Sequence, residues 1–210
     1  MNTRHQTEAT HGEAAAHRRL ADLLLFAAGY FLAGPDERSH ALLTDPAWLA
    51  GLRRARLLGR GIEVRDPTTV SSHRQQFAEL FRIPSDRYVA PVEQAFRDAK
   101  ATVDDSAVGE CLAVYQAAGY ELAPYAHIQA DHLGHQLRFV HAVLTREADC
   151  LERGDTAAAA TVASWRRGFL ADHGRWWREL AQRTRSRNPC AAIRHAVSLA
   201  ERLGHTAAEL

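Results

Sequence analysis

Asp131, His132 and His135 are the first residues whose types and spacing suggest chemistry. On a helix, Asp131 and His135 share a face at a spacing of four, and His132 and His135 at a spacing of three. With a third ligand from elsewhere they would hold zinc or another divalent ion, so a helical metal-dependent hydrolase is the enzyme reading of this chain. Against it, HEXXH is absent, and no other acid or histidine stands at an expected spacing. Twelve histidines produce close pairs by chance, so the expectation is no metal, no cofactor and no catalytic residue. His173 lies in a strip with Trp165, Phe169 and Trp176, and reads as a packed histidine with one satisfied nitrogen. GxSxG, GxxxxGK[ST] and a GxGxxG after a strand are all missing. Arg183, Arg185 and Arg187 sit near a helix C-terminus, where cations favour the dipole, and read as a solvated cap rather than an RNA patch.

The elements that position these residues are helical. Ala (39) and Leu (23) dominate, while Val and Ile together number 15, which suits helices and not a large sheet. The expected fold class is all-α, a single-domain bundle of about eight to ten helices, with residues 1–13 frayed and 14–210 forming the domain. Expected helices run from Ala14 to Ala33, around Ser39–Leu43, from Pro46 to Leu58 and from Val70 to Phe81. Further ones end near Ala99, run from an Asp104-Asp105 cap to Ala118, span Ala126–Arg153 and Thr156–Arg183, and follow Asn188-Pro189 to about Gly204. Asp45-Pro46 places a capping carboxylate before a proline at the first helical position.

Arg18-Arg19 before an apolar run superficially resembles an export signal. Asp22 interrupts that run, and Leu20, Leu23, Leu24, Ala27, Ala28 and Phe31 recur at helical spacing, so it reads as a buried helix face. It is too short to span a bilayer, and no stable membrane insertion is expected. The 26 basic and 25 acidic residues nearly cancel, so nucleic acid is not an expected partner. The cations are 25 Arg and a single Lys, a compositional trait that deprives any one arginine of diagnostic value. Cys111, Cys150 and Cys190 form no CxxC pair and favour a reducing, cytoplasmic setting.

Three segments, taken in order, resemble the TorD/DmsD/NarJ-type chaperones. Phe77-Ala-Glu-Leu80-Phe81-Arg-Ile-Pro84 followed by Pro91-Val-Glu93-Gln-Ala-Phe96 is similar to that family's YxxLFxxP and PxES-aromatic signature. Gln129-Ala130-Asp131-His132-Leu-Gly-His-Gln136-Leu137 resembles its EPDHxxxEL helix, and Phe169-Leu170-Ala-Asp-His173-Gly-Arg-Trp176 its FLxxHxxxW stretch. The resemblance implies a cytoplasmic chaperone that holds the apo form of a molybdenum-containing oxidoreductase, through its twin-arginine leader, until cofactor is inserted. It implies that Asp131 and His132 are the functional pair, with Phe77, Leu80, Phe81, Pro84, Pro91 and Glu93 near the client-binding surface. It also implies a monomer or a helix-swapped dimer, with a hinge near residues 119–127. The chain departs from the pattern at Gln129, Ala130 and Gln136, which replace Glu, Pro and Glu and remove two carboxylates. A leader offers two guanidinium groups and an apolar stretch, which calls for an apolar groove ending in a carboxylate; the expected carboxylate is Asp131.

Overall fold

The computed structural model describes residues 2–59, 68–97, 106–122 and 128–210, with side chains from Thr10 onward. Among these residues there are nine α-helices and no strand. In chain order they are α1 (Asn2–Ala33), α2 (Glu37–Thr44), α3 (Pro46–Arg54), α4 (Val70–Phe81), α5 (Ala107–Ala117), α6 (Leu133–Glu152), α7 (Thr156–His173), α8 (Trp176–Ser186) and α9 (Ala191–Glu209). A 3₁₀ turn, Glu93–Phe96, stands between α4 and α5. The all-α class is therefore what the Ala and Leu content dictates. No helix among the described residues is long and apolar enough to cross a membrane.

Local chemistry sets most of the boundaries. Asp45 accepts from the amides of Ala47 and Trp48 in front of Pro46, and Thr69 and Asp155 accept from Ser72 and Ala158 at the starts of α4 and α7. Gly34, at φ +89°, ends α1 in the left-handed region. Several expected elements differ. α1 begins at Asn2, well ahead of Ala14, and α9 continues past Gly204 to Glu209. The segment expected to end as a helix near Ala99 is only the Glu93–Phe96 turn. Ser106 caps α5 by accepting from Gly109, while Asp104, Asp105 and positions 123–127 of the expected hinge lie outside the described residues. The long helix expected over Thr156–Arg183 is two, broken at Gly174. A Cβ there would lie 2.6 Å from the Leu170 carbonyl oxygen, so this tight turn requires glycine.

α1 and α6 form the spine. As α1 runs from Arg18 to Leu32, its partners on α6 run back from Asp149 to Gly134, so the two are antiparallel. Arg18 pairs with Asp149 and Glu152 at one end, and the Ala21 carbonyl accepts from or meets the His141 ring nitrogen at 2.9 Å in the middle. At the other end a Cβ on Gly134 would lie 2.5 Å from Leu32 Cγ, so glycine lets the helices touch. Apart from a small separate cluster around Ala14, Ala148 and Leu151, the apolar core is continuous, with Leu24, Leu43, Leu49, Leu80, Leu137, Val140, Leu144 and Leu203 in it.

That core also holds a charged cluster. Arg166 on α7 is 0% exposed and donates from Nε to Glu147 Oε2 at 2.9 Å and from Nη1 to the Ala207 carbonyl. Glu147 also meets His17 Nε2 at 3.1 Å. Four helices, α1, α6, α7 and α9, are pinned at one point. Burial alone would lower the His17 pKa, but the close Glu147 carboxylate and the hydrogen bond to the Glu13 carbonyl outweigh it and hold it above the ordinary value. Burial likewise opposes the Glu147 charge, yet His17 and Arg166 keep its pKa lowered. The raised His17 pKa gives stability that is whole below about pH 6.5 and is lost as pH rises through the folded value. His17→Gln should therefore cost about 1 kcal/mol more at pH 6 than at pH 9, on the scale of one charge-assisted hydrogen bond. Urea unfolding of both proteins at the two pH values measures this, and an equal cost would refute it.

Candidate client-binding site

The segments around Pro91 and Asp131 are distant in sequence and paired in space. Val92 and His132 form an isolated antiparallel bridge. The Glu93 amide donates to the Asp131 carbonyl at 3.1 Å, and the Leu133 amide to the Pro91 carbonyl at 2.9 Å. Asp131 Oδ2 accepts from the Gln94 amide at 2.9 Å and so starts the Glu93–Phe96 turn. The Tyr115 hydroxyl holds the same stretch by donating to the Ala130 carbonyl at 3.0 Å.

Asp131 and His132 thus stand before α6, not on it. The shared helix face expected for Asp131, His132 and His135 does not form, because His132 is extended and caps α6, its Nδ1 accepting from the Gly134 amide at 3.0 Å. Burial, with His135 adding to it, pushes the His132 pKa down to about 3, so the ring is neutral at physiological pH. Asp131 is 0% exposed, and burial raises its pKa against the opposing Gln94 amide. Its carboxylate is a brace between two segments and does not reach the surface.

Four of the eight signature residues line one groove of about 400 Å³: Phe77, Phe81, Pro91 and His132. Phe31, Leu32, Val92 and Ile128 complete its apolar wall, and Arg82 and Tyr88 its polar part. Arg82 lies over the Phe77 ring, 5.3 Å from its centroid. No acid lines this groove among the described residues. Leu80 belongs to the core behind it, Pro84 is exposed beyond it, and Glu93 and Asp131 are buried outside it.

Glu93 belongs instead to a buried polar hub that spacing alone does not reveal. It meets His173 Nδ1 at 3.0 Å, accepts from Arg97 at 2.6 Å and accepts from Gln136 Nε2 at 2.6 Å. Gln136 Oε1 accepts from the indoles of Trp176 and Trp177 at 3.0 and 2.7 Å. Cys111 Sγ lies 3.7 Å from His173 Nδ1 and 3.9 Å from Glu93 Oε2. The packed reading of His173 holds, with Glu93 as its partner. The adjacent tryptophans and the lone amide at 136 were the available signal, visible only once Glu93 is placed among them.

Glu93, Cys111 and His173 have donor atoms within 4.8 Å of one another, the grouping among the described residues that is close enough to share a metal. The donors around it do not fit a cation. Two indole N–H groups fix the Gln136 carbonyl oxygen, which turns its NH₂ toward Glu93 and Cys111, where the ion would stand. Burial also pushes the Cys111 thiol up to about 12, so it stands in the hub as a neutral S–H group. The hub is a hydrogen-bond junction for α5, α6, α7 and α8.

Gln136→Glu would set a second carboxyl 2.6 Å from Glu93 Oε2, so one of the pair must hold a proton. That raised folded-state pKa gives stability at acid pH that is lost as pH rises above the ordinary carboxylate range. The variant should be less stable than the parent by about 1–3 kcal/mol at pH 7.5 and recover most of the gap near pH 5. Parallel urea titrations test it; a gap independent of pH would refute the shared proton.

The nitrate reductase delta subunit family matches residues 45–182, a span that contains the paired segments, the groove's α4 wall and the whole polar hub. A search of curated proteins and a search of solved structures each found no match. The chain belongs to the nitrate reductase delta subunit family, whose role is the chaperoning of molybdenum enzymes during maturation and not catalysis.

Proposed function

We propose that this protein holds the apo catalytic subunit of a molybdenum-containing oxidoreductase by its twin-arginine leader, in the cytoplasm, while cofactor is inserted and before export. The observation that carries the reading is the convergence of Phe77, Phe81, Pro91 and His132 on one groove. Its wall is aliphatic and aromatic and its histidine is neutral, which suits the apolar stretch after the arginine pair. Burying such a segment against a preformed wall is favourable at roughly 25 cal/mol per Å² of apolar area before the cost of ordering it. The arginine pair itself is met outside this groove, since its own lining charge is Arg82.

Asp131 then acts as a positioning residue. It holds the Pro91–Gln94 segment against His132, and so shapes one wall.

Leader peptide titrated into the full chain by calorimetry tests the assignment. Val92 and Ile128 are only half-buried, so Val92→Asp and Ile128→Asp should fold normally and weaken the leader by about 10–100-fold. Asp131→Ala should lower the melting temperature and leave the salt dependence of leader binding unchanged. Unaltered affinity in both groove variants would overturn the placement, and a flattened salt dependence in Asp131→Ala would restore Asp131 as the contact for the arginines.

A further inference from the structure

A second groove, of about 580 Å³, lies where α7 ends, α8 begins and the later part of α9 passes. It shares no lining residue with the groove assigned to the leader. Leu170, Trp177 and Ala208 give it apolar surface, and Arg175, Arg178 and Arg202 give it charge. Arg175 and Arg178 are one turn apart along the chain, and Arg202 comes from α9, so the cations stand on two sides of a concavity.

Some arginines elsewhere are matched and some, such as Arg19, Arg54 and Arg167, are not; what distinguishes this groove is that three unmatched ones line it together. Arg18 pairs with Asp149 and Glu152, Arg87 with Glu79, Arg183 with Glu179 and Arg185 with Glu201. The side chains of Arg175, Arg178 and Arg202 make no hydrogen bond or ion pair with any described residue. Glu201 is the one acid lining the groove, and Arg185 already holds it from the other side at 3.0 Å. Three like charges gathered around one acid that Arg185 already engages repel one another, in a chain whose net charge is only +1. The arrangement is complementary to a ligand bearing carboxylates, to whose oxygens a guanidinium fork donates paired N–H bonds.

We propose that this groove binds an acidic peptide segment whose carboxylates meet Arg175, Arg178 and Arg202 while its aliphatic side chains lie on Leu170, Trp177 and Ala208. The apolar surface between the cations favours a peptide over a bare phosphate, which would use the guanidinium groups alone. The inference does not rest on the leader assignment, because the two grooves are separate.

The probe is a fluorescein-labelled peptide of about ten residues alternating Glu and Leu, read by anisotropy on the full chain, beside the same peptide with Gln for Glu. The Glu peptide should bind and the Gln peptide should not, and binding should weaken as salt rises from about 50 to about 300 mM. Arg178→Glu and Arg202→Glu replace exposed residues; each should weaken the Glu peptide at least about tenfold without lowering the melting temperature. Arg178→Lys keeps the charge without the fork and should fall between them and the parent. Equal binding of the two peptides, or unchanged affinity in both charge reversals, overturns the proposal. So does pyrophosphate that binds more tightly than the peptide and displaces it, which would make this a phosphate site. Val92→Asp should leave the Glu peptide unaffected, so failure here is distinguishable from failure of the leader groove.

Discussion

A carboxylate that is 3% exposed, that of Glu93, has to be answered by donors brought from every direction, and much of the bundle is arranged to bring them. Arg97 comes from just beyond the same turn, Gln136 from α6 and His173 from the last residue of α7. Gln136 is itself held by two indoles from the first residues of α8. The break at Gly174 is part of this arrangement: a straight helix could not end with His173 on Glu93 and then present Trp176 and Trp177 to Gln136. Fixing Glu93 fixes Pro91 and Val92, and these two line the groove beside Phe77 and Phe81.

Local signals were legible and long-range ones were not. Asp45-Pro46, the left-handed Gly34 and the apolar spacing of α4 each carry their meaning within a few residues, so those boundaries could be read directly. The start of α6 could not, because histidine is outside the usual set of capping residues and the apolar pattern from Leu133 onward extends backwards without contradiction. A single glycine inside a periodic strip, as at Gly174, is weak grounds for breaking a helix. The resemblance located the Pro91 and Asp131 segments, yet it could not say that these two pair with one another, which is what turns Asp131 inward. Burial of a carboxylate depends on what covers it, and here the covering residues come from distant parts of the chain.

Charge is where the change of view is largest. If a nearly neutral chain is to hold a cationic leader, a local acid is expected in its groove, and the spacing and resemblance point to Asp131. In the fold the signature acids Glu93 and Asp131 are structural, the groove histidine is neutral, and the charge lining that groove is a guanidinium. The signature therefore encodes the shape of the groove more than its charge. Phe77, Phe81 and Pro91 form the wall, and the polar members hold it in place from behind.

This division has a physical logic. A groove that must take and then release an apolar segment gains little from buried charge at its surface, since each unanswered charge costs desolvation on binding. Placing the charges one layer deeper leaves the wall apolar and still rigid, because Glu93 ties it to α6 and α7 and Asp131 to the segment before α6 by short hydrogen bonds. Preorganisation of that kind lowers the ordering cost of each encounter. It also makes the wall sensitive to the hub: any change that loosens the hold of Gln136 on Glu93 is transmitted through Val92 to the surface of the groove.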